Sequence, residues 1–104
     1  MSTSVELTRQ HWEEGHRRLE QQRADARLYR QLLDYVEVVT EELRRRIGST
    51  FTLAELADSY RGAERWAQET IEEREPPSGW ARWVATAVDE AYYLYARRAS
   101  DYAP

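Results

Sequence analysis

The chain contains no cysteine. That absence excludes a disulfide framework, a thiolate zinc site and a cysteine nucleophile together. Small secreted domains usually need such staples, so a chain without them is expected in the cytoplasm. Lysine and asparagine are also missing, and all fifteen basic residues are arginine. This bias reads as a GC-rich coding sequence more than as a physical requirement. No apolar run approaches the ~18–20 residues of a membrane span, and the N-terminus lacks the apolar core of a signal peptide. No stretch alternates apolar and polar with period two, and there is no internal repeat or low-complexity tract. Glycine and proline are scarce, at four and three residues. Few places therefore exist where a helix must stop.

The 104 residues, 33% charged and 41% apolar, amount to one domain, spanning residues 1–104. Such a chain buries a modest core, without room for a large cofactor cavity. The net charge of −4 is unevenly spread. Residues 9–30 hold six arginines against four acids, and residues 52–75 hold seven acids against three arginines. An acidic second half opposes a phosphate-backbone partner, because each carboxylate there repels a polyanion.

Apolar spacing near 3.6 residues predicts four helical segments. The first runs from about Ser4 to Arg23, with Thr3 and Glu6 at capping-box spacing and Trp12 as its main anchor. Asp25 is a candidate N-cap for the second, Ala26 to Ile47, although one helix through residues 5–46 is an open alternative. Tyr29, Leu32, Leu33, Val36, Val39, Leu43 and Ile47 fall on one stripe of that segment, and Gly48 is its expected stop. The third segment opens on a capping box of Thr52 and Glu55, with Phe51 placed to staple onto Leu56. Gly62 is a candidate kink within it, and Pro76-Pro77 ends it. The fourth runs from about Gly79 to Asp101, with Ser78 as its cap. Short connections predict mostly antiparallel neighbours. The expected fold is an all-α, single-domain bundle of about four helices.

Thr52-Leu-Ala-Glu-Leu-Ala57 fits the first helix of a helix-turn-helix, with Gly62 in the turn and the reading helix from Glu64 onward. It equally fits any capped helix facing a core. Glu64, Glu69, Glu72 and Glu73 against Arg65 and Arg74 give the reading helix the wrong sign for a major groove. Glu13 and His16 have the Glu-x-x-His spacing of carboxylate-bridged metal bundles. A second such pair is missing, and His11 and His16 stand about 140° apart around a helix. The expectation is no metal site and no cofactor, with both histidines flanking Trp12 at the surface or its boundary. No phosphate-binding loop, dinucleotide turn or nucleophile elbow is present, which argues against an enzyme.

Two features depart from a plain bundle. Glu64 falls near the centre of the third segment's apolar stripe, where a carboxylate must pair or neutralise unless Gly62 resets the helical phase. The fourth segment carries an uncharged arc of about 220°, wider than one packing face. Ala81, Ala85, Tyr92, Ala96 and Ala99 widen that arc, and Tyr93 is expected exposed on the charged side with Arg82, Asp89 and Arg97; the candidate interface residues are Ala85, Tyr92, Tyr93, Ala96 and Ala99. Either the helix is central and touches two neighbours, or the arc is an interface with a second copy or another protein. Four tryptophans and seven tyrosines are a surplus of the residue types that interfaces use as anchors.

The stretch Glu-Glu-Leu-Arg-Arg-Arg-Ile-Gly-Ser-Thr-Phe-Thr-Leu-Ala-Glu-Leu-Ala-Asp-Ser-Tyr-Arg-Gly-Ala-Glu-Arg-Trp-Ala over residues 41–67 resembles a small family of actinobacterial helical proteins. The ending Leu-Tyr-Ala-Arg-Arg-Ala-Ser-Asp-Tyr-Ala-Pro is similar. The resemblance implies a cytosolic bacterial protein and carries over no activity and no functional residue. The expected function is a non-enzymatic protein-interaction or regulatory module, acting on another protein or as a homodimer. The alternative is a helix-turn-helix-like, DNA-associated regulator of transcription.

Overall fold

The computed structural model describes residues 4–73, 81–99 and 102. Those residues form an all-α fold of five helices. Helix α1 spans Ser4–Glu20, α2 Ala26–Ile47, α3 Leu53–Tyr60, α4 Ala63–Glu72 and α5 Ala81–Ala96. Thr3, Pro76-Pro77, Ser78 and the expected start of the last segment lie outside the described residues.

Each boundary has a local cause. α1 and α2 are separate helices, because Asp25 leaves helical geometry and its carboxylate accepts the Leu28 N–H at 3.1 Å. Gly48, at φ +81°, stops α2 and returns its N–H to the Arg44 carbonyl at 3.0 Å. Thr52 and Glu55 form the reciprocal capping box, with bonds of 3.2 and 2.9 Å. The expected third segment is two helices, not one kinked one. Arg61 turns extended and Gly62 turns left-handed at φ +81°, a conformation that glycine adopts without steric cost. The break resets the helical phase, so Ala63, Ala67 and Ile71 face inward.

α5 is the axis of the fold, packing against α1, α2, α3 and α4. Almost all of it from Val84 to Ala96 is buried, apart from half-buried Ala85 and Tyr93 and exposed Leu94. A helix enclosed on most sides needs an uncharged surface wider than one stripe. α1 lies antiparallel to α5, since Arg18 meets Asp89 while Glu13 meets Tyr102. Its anchors Trp12 and Leu19 are fully buried. Phe51, just before α3, stacks on Tyr95 of α5 at 5.3 Å. The α2 stripe holds at Leu32, Val36, Val39 and Leu43. Leu33, expected on that stripe, is 40% exposed, and Leu94 of α5 is 37% exposed.

Candidate functional site

The most unusual feature lies between α1 and α5. Asp89 is fully buried, although sequence spacing placed it on the charged side of its helix. Its Oδ2 accepts from Arg18 Nη2 at 2.9 Å and lies 3.3 Å from His11 Nε2. Its Oδ1 accepts from the Tyr60 hydroxyl of α3 at 2.5 Å. One carboxylate thus ties three helices together. Burial raises the Asp89 carboxyl above its ordinary range, opposed by the Tyr60 hydrogen bond and the charges of His11 and Arg18. Tyr60 is itself pushed far above the usual phenol range, first by desolvation and then by its bond to Asp89.

Gly15 explains how α1 comes so close. A Cβ at this position would overlap the Asp89 side chain. The glycine is not needed for its backbone freedom here; its missing side chain is the space that Asp89 occupies.

Glu90 makes the second half of the seam. It is 5% exposed, and its Oε1 lies 2.6 Å from His16 Nδ1. When Glu90 is ionised its carboxylate only accepts, and Nδ1 is then the donor. The His16 ring stacks on Tyr93 at 4.3 Å. Burial raises Glu90, and the His16 hydrogen bond opposes that shift. Further along, the Tyr102 hydroxyl donates to Glu13 at 3.2 Å, with the Arg9 guanidinium over the Tyr102 ring. Glu13 and His16 therefore have separate partners, and among the described residues no three potential metal-ligating groups converge.

An aromatic cluster backs the seam. Trp12 packs against Tyr60 and Tyr92 at 5.7 and 5.3 Å. The buried Tyr92 hydroxyl lies 2.9 Å from Ser59 Oγ. Desolvation pushes Tyr92 up to about 12, against the opposing effect of the Ser59 bond.

This packing agrees with the first of the two readings of the uncharged arc, a central helix with several neighbours. Tyr92 and Ala96 are fully buried and Ala99 nearly so, all within the chain's own core. They cannot anchor a partner, because α1, α2, α3 and α4 already enclose α5. Ala85 is half-buried. Tyr93, expected exposed, is half-buried beneath His16. Glu64 is exposed, because the left-handed Gly62 resets the phase and turns it outward.

Sequence reasoning missed Asp89, Glu90, Arg18 and Tyr60 as one constellation. A signal was present: Asp89-Glu90 are the only charges between Val84 and Ala96.

The surface carries a second pattern. Among the described residues, five arginines lie over aromatic rings: Arg9 on Tyr102, Arg23 on Tyr29, Arg46 on Trp66, Arg97 on Tyr93 and Arg98 on Tyr95. Two of them, Arg97 and Arg98, stand one turn beyond exposed Leu94. Neither has a carboxylate partner among the described residues. On α2, a groove of about 440 Å³ is lined by Asp34, Tyr35, Glu37, Val38 and Glu41, an acidic surface unsuited to a polyanion. Among the described residues, no helix is long and apolar enough to cross a membrane.

No family model, no curated protein and no solved structure matches the chain.

Proposed function

We propose that the chain is a non-enzymatic protein-interaction module of the bacterial cytosol, and that it docks an acidic partner on the exposed end of α5. The observation that supports this reading is Leu94, an exposed apolar side chain followed one turn later by Arg97 and Arg98. Half-buried Tyr93 adjoins it, with the Arg97 guanidinium over its ring. Arginine and tyrosine around an apolar centre are the residue types that carry binding energy at interfaces. The matching partner presents carboxylates around an apolar side chain.

A photo-crosslinker placed at position 94, with position 33 as a control, tests the reading. One acidic protein should crosslink from 94 and not from 33, and should be lost in Arg97→Glu/Arg98→Glu. Crosslinking that is equal from both positions, or indifferent to the charge reversal, overturns it. A self-crosslink with a doubled mass by light scattering would make the partner a second copy.

A helix-turn-helix regulator is the second reading. It is favoured by α3 and α4, which meet through only Arg61 and Gly62. The exposed face of α4 opposes it, with Glu64, Glu69, Glu72 and Glu73 against Arg65. Retention on heparin and a salt-sensitive, sequence-dependent gel shift would favour this second reading.

A further inference from the structure

We propose that the basic end of α5 docks into the acidic groove of α2 on a second copy of this chain. The inference rests on the interaction reading above and names its acidic partner as the chain itself.

Two surfaces of opposite sign remain after the chain's own contacts are made. On α2, exposed Asp34, Glu37 and Glu41 surround a floor of Tyr35 and Val38. They stand at i, i+3 and i+7, so they follow one face for two turns, about 10 Å. Among the described residues, none of the three carboxylates has an ion-pair or hydrogen-bond partner. Glu42, on another side of the helix, is neutralised by Arg45 and Arg46. On α5, Leu94, Arg97 and Arg98 stand at i, i+3 and i+4 and share one exposed face. The other exposed leucines of the described residues lack such a pair of cations. Leu7 follows Glu6, which is paired with Arg9, and Leu33 precedes Asp34.

The two surfaces match in order as well as in sign. An apolar side chain with two cations meets an apolar floor with three anions. Leu94 covers Val38 and the Tyr35 ring, and the two guanidiniums take the carboxylates of Glu37 and Glu41. The planar fork of arginine suits such a carboxylate. α2 packs along α5, so neighbouring helices carry the two surfaces. A two-fold axis then sets each copy's α5 end on the other's groove and closes the assembly as a dimer. The interface is small and its charges are exposed, so the association is weak. Each copy carries a net charge of −4, which opposes any association that lacks local pairing.

Sedimentation velocity of the full chain at up to about 1 mM tests the docking. The wild-type mass should rise toward that of a dimer. Arg97→Glu/Arg98→Glu should weaken association about tenfold or more. Glu37→Arg/Glu41→Arg should do the same, although it brings the net charge of −4 to about zero. Relief of bulk repulsion alone would instead tighten association. An equimolar mixture of the two variants should regain the dimer, because reversed groups then face reversed groups and native ones face native ones. A wild-type monomer throughout, an unchanged dimer in either variant, or a mixture that stays monomeric overturns the proposal. Should a variant fail to fold by circular dichroism, the otherwise unchanged chain with the photo-crosslinker at position 94 decides. Its adducts should map to residues 34–41 of a second copy, and adducts that map elsewhere overturn the docking. Leu33 stands about 100° around α2 from Asp34 and does not line the groove, so position 33 remains a control. A monomer whose position 94 captures a different acidic protein overturns the self-pairing alone and leaves the reading above standing. No capture at all removes both.

Discussion

Gly15 of α1 lies directly against Asp89 of α5, in the space its own Cβ would occupy. Gly15→Ala would raise intrinsic helix propensity by about 1 kcal/mol. Overpacking a closed contact costs about 1–3 kcal/mol and here displaces a carboxylate with three partners. The expected net loss is about 1–2 kcal/mol, seen as a lower melting temperature. An unchanged or higher one would mean that the two helices do not meet at this distance.

Asp89→Ala should destabilise by about 1–3 kcal/mol, because it leaves the Tyr60 hydroxyl without its acceptor, while the part-exposed Arg18 guanidinium can turn to water. Tyr60→Phe should cost about 1–2 kcal/mol. In the double variant the two losses should not add, since both remove one bond. Urea denaturation of the four chains measures the coupling, and simple additivity would place Tyr60 outside the network.

Thr52→Ala should cost about 1 kcal/mol by removing the acceptor of the Glu55 N–H, while Thr52→Ser should be nearly neutral. Thermal melts distinguish the pair. Equal stability of all three chains would show that α3 does not depend on its capping box.

Tyrosine ionisation should be spread above the ordinary phenol value of about 10, with a late phase from the two most strongly raised groups. No tyrosine is fully exposed, and Tyr29, Tyr35 and Tyr102 are also raised by burial. Tyr60 and Tyr92 are raised by burial, so they should remain neutral beyond that point. A group with a raised folded value stabilises fully below its unfolded value, and that contribution is lost as pH rises through the folded one. Alkaline unfolding should therefore coincide with the late phase in an ultraviolet titration. Tyr60→Phe/Tyr92→Phe should remove the late phase, and its survival would assign it to other tyrosines.

Ala96→Arg should unfold the chain, because the methyl group is fully buried in the core. Circular dichroism reads the result. A folded Ala96→Arg variant would return this face to the surface and restore it as an interface.

The local structure was legible because its causes are local. The Asp25 cap, the Gly48 stop and the Thr52–Glu55 box each act within four residues, and the sequence carries them whole. The all-α class followed from apolar periodicity. Periodicity alone could not decide how many neighbours a helix has. The uncharged arc of α5 is wider than one packing face, yet its spacing still places Asp89 and Tyr93 on the charged side, outside the core.

What the sequence determined by itself was therefore the all-α class, the helix ends with local caps or stops and the absence of thiol chemistry. Tertiary structure alone decided that α5 is central, that Tyr92 and Ala96 are core, and that Asp89 and Glu90 are buried. The physical reason is that a buried carboxylate is tolerated only where donors converge on it. Those donors, Arg18, His11, His16 and Tyr60, lie 29 to 78 residues away along the chain, a relation that no local pattern records.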